Sequence, residues 1–599
     1  MGERSPFVLL DDARESGAAD ARYFAAPSRV FVAHRASEVA ETLAAADAAR
    51  IEGEGTLAGY IAYEAGLALE QRLVPLADRR TGAAGPLVWL GLFSEGETIP
   101  ASEMPEWLAA RSDGTASLGP LDPQISPGGY VAAFEALEEA IRAGDIYQAN
   151  LTFPLAGSVR GDPLALYAAL RSSARAGYGG VIFDGQHWLL SLSPELFVSL
   201  RDGTAKVKPM KGTRPRGSDA AKDRVLAEDL RTSVKDKAEN LMIVDLMRND
   251  LSRVAEPGSV AVDAPFAVES YPTVHQMVST VHARLARGKG AMDLVRALFP
   301  CGSITGAPKI RAMELIDAVE RDARGAYCGA IGRIGPDGDA AFNVAIRTLR
   351  LTEIENGHGT AVLGVGSAIV ADSEAMPEWR ESVLKGDFAR REAGGFDLLE
   401  AMRFDPEEGI PLLELHLERI KASAAELGFA FDRHETRNRI QALCFELEAP
   451  AKLRLRLARS GATALEAQPL GDAALPRPTV CAVLPLPVGE VDWRLRHKTS
   501  DRGFYEAARE AAQAAGAHEA LLIRDDGLLT EACHSNLFVE RDGMLLTPPA
   551  SLGLLPGVLR RSLIEEGSAR ESELTIDDLA NGFLLGNSVR GLVPARLLA

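Results

Sequence analysis

Only five cysteines occur in the 599 residues (Cys301, Cys328, Cys444, Cys481 and Cys533), and none is spaced for a disulfide framework or a zinc site. Long apolar runs are missing too. The stretch Leu241–Met247 is short and broken by Asp245, far under the ~20 residues that a bilayer-crossing helix needs. The N-terminal MGERSPFVLLDDARESG lacks the apolar core and small-residue cleavage site of a secretory signal. These absences point away from a membrane and toward a reducing cytoplasm. Positive charge is also scarce: the formal net charge is −19, and no basic stretch offers a face for nucleic acid. A small anionic substrate would then need a local Lys/Arg cluster, or a bound cation, to enter against that field.

What remains is ordinary globular composition, 46% hydrophobic and 25% charged, on a chain too long for one hydrophobic core. Apolar periodicity predicts helices over Ala36–Ala49, Tyr130–Gly144, Ala220–Arg231, Lys235–Arg248, Ala307–Ala323 and Ser373–Arg391. Strand patterns fall at Thr56–Tyr63, at hairpin spacing within Gly179–Lys211, and at Ala326–Ile334 and Asp339–Leu351. The segment Gly119–Gly128, GPLDPQISPG, reads as a surface connection. Glu392–Gly395, EAGG, punctuates the chain, and a fresh α/β pattern opens with Phe396–Phe404 and the helix Leu415–Leu427.

Three constellations in the first part suggest chemistry. Asp236 and Glu239 share a face of a helix whose continuation, LMIVDLM, is apolar nearly all round and reads as buried. Glu378, Glu381 and Lys385 share a face of another. Two such helices would hold Mg²⁺, a hard cation that accepts few protein carboxylates; they would equally serve as solvated faces laced by salt bridges. In SITGAPKIRAME, Thr305 is a candidate cap and Pro308 a helix start. Gly306 and Ala307 let a ligand approach, and the free amides with Lys309 and Arg311 make an anion site or a plain capped helix. In KPMKGTRPRG, Lys211 sits among Lys208, Arg214 and Arg216. Crowded cations depress a lysine pKa and make the amine a nucleophile; a basic surface turn is the bland alternative.

The strings SPELF (193–197), KPMKGTRPRG (208–217), KAENLMIVDLMRNDLSRV (237–254), CGSITGAPKIRAMELID (301–317), YCGAIGRIG (327–335), FNVAIRTL (342–349) and GSAIVADS (366–373) stand in the order found in chorismate-utilising enzymes. The chain resembles that family across 193–373, and outside that span the N-terminal region resembles it only through GYIAYEAG (59–66). Anthranilate synthases usually carry a small residue where this chain has Lys211, whereas aminodeoxychorismate synthases carry lysine. The resemblance therefore implies that Lys211 attacks chorismate at C2 and that Glu195 is a general acid/base. It further implies that Glu239 and Glu381, with Glu378 beside them, bind Mg²⁺. Arg347, Gly366, Lys385 and the backbone of Gly302, Thr305, Gly306 and Ala307 would hold the substrate carboxylates. Two departures stand out: Gln276 occupies a position that is histidine in many relatives, with His275 one earlier, and the family's glycine triplet is reduced to Gly366-Ser367-Ala368. No cysteine lies in a G-x-C-x-G setting, so glutamine hydrolysis by this chain is not expected; the resemblance implies a separate glutamine amidotransferase subunit, or free ammonia at high concentration.

After Gly395 four features recur in the order of fold-type IV pyridoxal phosphate enzymes: Lys498 after a strand-like run and before a helix, Glu531 between strands, LLPGVLRRSLIEE with Gly557 as cap, and Ser588 in GNSVRG. Singly each reads as a loop feature. By the resemblance, Lys498 carries pyridoxal 5'-phosphate, Glu531 pairs with its pyridine nitrogen, and Arg419, Val558, Leu559 and Ser588 hold its phosphate. The expected fold class is α/β (α+β): a chorismate-binding antiparallel β-sandwich with helices over 1–390, then a fold-type IV domain over 394–599 whose small lobe is shortened or borrows structure from the first half. The expected function is two-step: amination of chorismate to aminodeoxychorismate, then elimination of pyruvate to 4-aminobenzoate. An amino-acid aminotransferase or a non-catalytic module stays open for the second half, and a homodimer through it is the assembly to test.

Overall fold

The computed structural model describes residues 5–53, 55–77, 85–217, 219–270, 274–355, 357–393, 395–470 and 476–598. The chain divides into two compact units, Met1–Gly394 and Gly395–Ala599. Gly394 of the EAGG punctuation lies outside the described residues.

In the first unit two large sheets face each other. One is an antiparallel sheet of eleven strands whose centre runs Gln148–Gly161, His358–Ile369, Thr348–Glu355, Trp188–Ser193 and Tyr178–Phe183. The other has ten strands and runs from Met210–Pro215 through Val274–Arg284, Thr204–Val207, Leu196–Arg201 and Ala340–Val344 to Ala330–Ile334 and Thr56–Ile61. Val8, Ile182 and Leu189 of the first meet Tyr60, Trp89 and Ile331 of the second in one buried layer, as side-chain alternation along strands requires. Helices cover the outer faces. Pro127–Arg142 starts where Ser126 accepts the Gly129 amide at 3.1 Å, and it buries Tyr130, Phe134 and Leu137. Val234–Ser252 starts where Ser233 accepts the amide of Asp236 at 3.2 Å.

Three helix expectations need correction. Val234–Ser252 buries one face through Ile243, Val244, Met247 and Leu251, while Leu241 is 48% exposed; the apolar run therefore does not imply burial all round. The helix expected from Ala307 begins at Lys309 and ends at Val319, because Gly306–Ala307 pairs as a strand with Gln148 and Ala149. The final helix is two, Ala375–Leu384 and Asp387–Ala393, separated at Gly386.

The second unit combines a three-stranded antiparallel sheet, Leu398–Phe404, Ala451–Leu457 and Thr463–Pro469, with a mixed eight-stranded sheet. Thr479–Pro485 pairs in parallel with both Glu519–Ile523 and Gly591–Leu597. Among the described residues, no helix is long and apolar enough to cross a membrane.

Candidate active sites

Lys211 lies in the Met210–Pro215 strand where its pairing slips. Met210 is opposite Val278 but Thr213 is opposite Gln276, so one extra residue is accommodated between them. Gly212 adopts φ +82°, and a Cβ there would meet the Asp236 side chain at 2.8 Å, so the slip demands glycine. The half-buried Lys211 amine is depressed below the usual lysine value, by burial first and by Lys385 second, against the opposing pull of Glu195, Glu239 and Glu381. The depression matches expectation but its cause does not. Lys208 is bound to Glu269 at 2.7 Å, Arg214 to Asp229 at 2.7 Å and Asp236 at 3.0 Å, and Arg216 to Asp223 at 2.8 Å. The basic neighbours in sequence are thus neutralised, and they fasten the lysine-bearing strand instead.

Glu195 is 8% exposed and accepts a 2.8 Å hydrogen bond from Ser303. Burial pushes its carboxyl up, while Ser303 and Lys211 pull it down. Ser303 was not among the sequence candidates, although it lies inside the CGSITGAPK block; a serine hydroxyl carries no local signal of the side chain it will meet. The turn that presents it is pinned from below by Arg324, which donates to the Ile304 and Asn150 carbonyls at 2.8 and 2.7 Å and pairs with Glu320 at 2.7 Å. Thr305 donates to the Cys301 and Gly302 carbonyls, so it closes that turn rather than capping the helix; Pro308 occupies the cap position. Lys309 is bound to Asp250 and to the Leu298 carbonyl, and Arg311 to Asp145 and Glu314. Neither cation reinforces the expected anion site, because a carboxylate already holds each.

Lys385 donates to the Gly366 carbonyl at 2.8 Å and pairs with Glu381 at 2.8 Å. Arg347 is exposed and holds φ 49°, a sparsely populated conformation for a residue with a Cβ, with its carbonyl accepting from Leu192 at 3.0 Å. The expected carboxylate trio is not assembled: among the described residues no group of three His, Cys, Asp or Glu side chains is disposed to hold a metal ion. Glu378 accepts from Ser373 at 2.8 Å. Burial raises the Glu239 carboxyl, while Lys211 and Lys235 pull it down. A carboxylate that burial destabilises fits a hard cation, with Glu381, which like Glu239 acts on Lys211, as second donor. A cleft lies elsewhere, lined by Tyr327, Thr348, Arg350 and Gly364 and by none of the candidate catalytic residues.

In the second unit, Lys498 follows the short 3₁₀ turn Trp493–Leu495 rather than a strand and precedes the helix Gly503–Ala514. Its carbonyl accepts from Leu399 at 2.8 Å. Burial, then Arg419, push its amine down to about 7, with Glu400 opposing. Glu531, within the Leu529–Ala532 strand and 4% exposed, accepts from Tyr505 at 2.5 Å and from the Leu555 amide at 3.0 Å. Burial pushes it up to about 7. A buried acid in that state fits a protonated pyridine nitrogen. Gly557 caps the helix Val558–Glu565, and a Cβ there would come within 1.9 Å of the Asn536 amide oxygen, so the turn admits glycine alone. Arg419 grips Glu400 through two bonds of 2.9 and 2.6 Å and reaches the Pro556 carbonyl at 3.3 Å, beside that turn. Against the upward pull of burial, Arg419 and His416 hold Glu400 at about 2. Ser588 donates to the Ala401 carbonyl at 3.1 Å. These residues fit pyridoxal phosphate: a depressed amine, an acid wanting a cation, and free amides at a helix start.

Residues 6–391 match the model of the chorismate binding enzyme family. The chain belongs to that family. Residues 397–598 match the model of class IV amino-transferases. Among curated relatives, "Aminodeoxychorismate synthase component 1" of Klebsiella aerogenes is 46% identical over 253 residues, 42% of this chain and 55% of that protein. "Aminodeoxychorismate synthase" of Streptomyces griseus is 38% identical over 354 residues, 59% of this chain and 46% of that protein. The chain thus spans about half the length of the curated relatives it matches. The crystal structure of anthranilate synthase component I from Streptococcus pneumoniae TIGR4 superposes with a TM-score of 0.52 at 25% identity, covering 63% of this chain and 93% of that one. The fold is therefore a chorismate-binding sandwich followed by a class IV aminotransferase-like unit.

Proposed function

We propose that the first unit aminates chorismate at C4 and that the second eliminates pyruvate from the product to give 4-aminobenzoate. The observation that carries the reading is the depressed amine of Lys211 beside the buried acid Glu195. Lowering a lysine pKa enlarges the share of uncharged, nucleophilic amine, and raising a carboxyl pKa enlarges the share that holds a proton to give. Lys211 bonds to C2 of the ring while Glu195 protonates the departing C4 hydroxyl. Ammonia then bonds at C4, and the lysine leaves from C2. Lys385, the turn around Gly302–Ala307 and Arg347 hold carboxylates of the substrate. Magnesium would be held by Glu239 and Glu381, supplying local positive charge to a dianion that the net charge of −19 otherwise repels.

Pyridoxal phosphate, when bound in the second unit, supplies an electron sink. Glu531 keeps the pyridine nitrogen charged, and Arg419, Ser588 and the amides of Val558 and Leu559 hold the phosphate. Lys498 takes the proton from C4 of the aminated ring, and loss of the enolpyruvyl group leaves an aromatic product. Ammonia comes from a separate glutamine amidotransferase; the words "component 1" in the relatives' names and the lack of a G-x-C-x-G cysteine support this.

The test is incubation of the full chain with chorismate, ammonium and magnesium, with and without pyridoxal phosphate. Aminodeoxychorismate without the cofactor, and 4-aminobenzoate with equimolar pyruvate when it is present, is the expected outcome. Anthranilate as the product would overturn the first assignment. Release of no pyruvate, with amino-group transfer to a 2-oxo acid, would make the second unit an aminotransferase.

A further inference from the structure

Beside the turn that carries Ser303, the sheet edge is finished by side chains instead of backbone. Gly306–Ala307 pairs with Gln148 and Ala149, and the Thr305 carbonyl still accepts from the Asn150 amide at 2.8 Å. At Ile304 the chain leaves that edge, and one residue earlier Ser303 reaches Glu195. Further along the strand Gln148–Gly161, the Asn150 carbonyl and the Thr152 amide need other partners, since buried backbone groups are expensive to leave unbonded. Arg324 and Glu320 supply them. Arg324 donates to the Asn150 carbonyl at 2.7 Å and to the Ile304 carbonyl at 2.8 Å, and Glu320 accepts from the Thr152 amide at 2.8 Å. Two bonds of 2.9 and 2.7 Å join Arg324 to Glu320. One guanidinium thus sits in the gap between the strand edge and the departing turn, and bonds to both.

The pair is itself held in place. Glu320 terminates the helix Lys309–Val319, and the backbone amides of Arg324 and Gly325 donate to the Glu64 carboxylate at 2.7 and 3.0 Å. The Tyr63 ring packs 4.3 Å from the guanidinium. Arg324, Glu320 and Glu64 are all buried. A buried ion cluster is a weak source of stability, because desolvation offsets most of the attraction; what the fork of a guanidinium offers beyond an apolar residue is fixed geometry. That geometry reaches both walls of the candidate site. On one side it sets the turn with Ser303. On the other, Thr152 is in register with Gly366, whose carbonyl accepts from Lys385.

We propose that Arg324, oriented by Glu320, is a positioning residue for the amination step, fixing the Gly302–Ala307 turn against the sheet so that Ser303 meets Glu195. The inference rests on the reading of the first unit as an aminating enzyme, and it adds two residues that act through others. A lysine in that place has a single nitrogen and cannot serve the Glu320 carboxylate and two separate carbonyls in the planar arrangement of the fork.

The experiment measures chorismate amination by the full chain, with magnesium and saturating ammonium, across pH for Arg324→Lys, Ser303→Ala and the two combined. Arg324→Lys should lower kcat about thirtyfold, the scale of a slightly misplaced catalytic group. Ser303→Ala, which costs about tenfold or less alone, should cost less than about twofold in the Arg324→Lys background, because the contact it removes is already lost. The limb of the pH profile that reports Glu195 should move up in Arg324→Lys as in Ser303→Ala, since both lose the bond that lowers that carboxyl. Glu320→Gln keeps the shape of the side chain; it should lower kcat about fivefold with the same limb shift, and it serves if the lysine variant fails to fold. Effects of Arg324→Lys and Ser303→Ala that multiply, or a lowered rate with an unmoved limb, would make Arg324 a stabiliser of the unit only and overturn the proposal. Undiminished amination in both Arg324→Lys and Glu320→Gln would overturn it too. A wild-type chain that aminates no chorismate would overturn the reading of the first unit, and the proposal with it.

Discussion

Lys211 and Lys498 are both amines driven down by burial, but their surroundings have opposite sign. Glu195, Glu239 and Glu381 act on Lys211 against Lys385, whereas Arg419, Arg502 and Lys452 act on Lys498 against Glu400. Burial alone therefore does not distinguish the amine proposed to attack a ring from the amine proposed to carry a cofactor; the charges around them do. Acids favour the protonated amine, so Lys211 becomes free only as far as burial and Lys385 outweigh them. Burial, helped by these cations, pushes Lys498 down to about 7, and the same cations suit the phosphate proposed to bind there.

If the two sites are independent, each can be silenced alone. Lys211→Ala should lower chorismate amination by about a thousandfold or more while leaving the visible cofactor band intact. Lys498→Ala should lower pyruvate release by a similar factor, roughly a thousandfold, with aminodeoxychorismate accumulating in product analysis. Loss of both activities in either variant would break the comparison. Glu195→Gln should cost roughly a hundredfold in amination, the scale of one positioned proton donor, and leave pyruvate release from supplied intermediate unchanged.

Stability separates the units as well. The folded pKa of Glu400, about 2, lies below its ordinary value of 4.5. Its contribution is therefore complete above that ordinary value and is lost as pH falls from there through about 2. Glu400→Gln should destabilise the second unit by about 3 kcal/mol, since Arg419 and His416 lose a buried counter-charge, and should flatten that acid limb in denaturant unfolding. The smallest effect is Ser303→Ala. Removing a hydrogen bond that lowers Glu195 raises its pKa further. The limb of the amination pH profile that reports Glu195 should move up, with a rate change of about tenfold or less.

Much of this was legible in residues alone. Lys211, Glu195, Lys385 and Gly366 come together as the motif blocks imply, and Gly557 with Val558 begins a helix where the sequence puts one. What escaped has physical reasons. Ser303 meets Glu195 from 108 residues away, and no periodicity reports a partner at that separation. Lys309 and Arg311 looked free because the acids that hold them, Asp250 and Asp145, lie on other elements. The run LMIVDLM looked buried all round because composition does not say which face meets the core. The strand slip at Lys211 and Gly212 was hidden because it depends on pairing with Val278 and Gln276, not on local propensity.

The bond between Lys211 and the substrate is the central claim. The full chain, incubated with chorismate and magnesium but no ammonia and then digested, should show by mass spectrometry an adduct on the peptide containing Lys211 that disappears once ammonium is added. Undiminished amination with that peptide never modified, or an adduct on any other residue, would contradict the account.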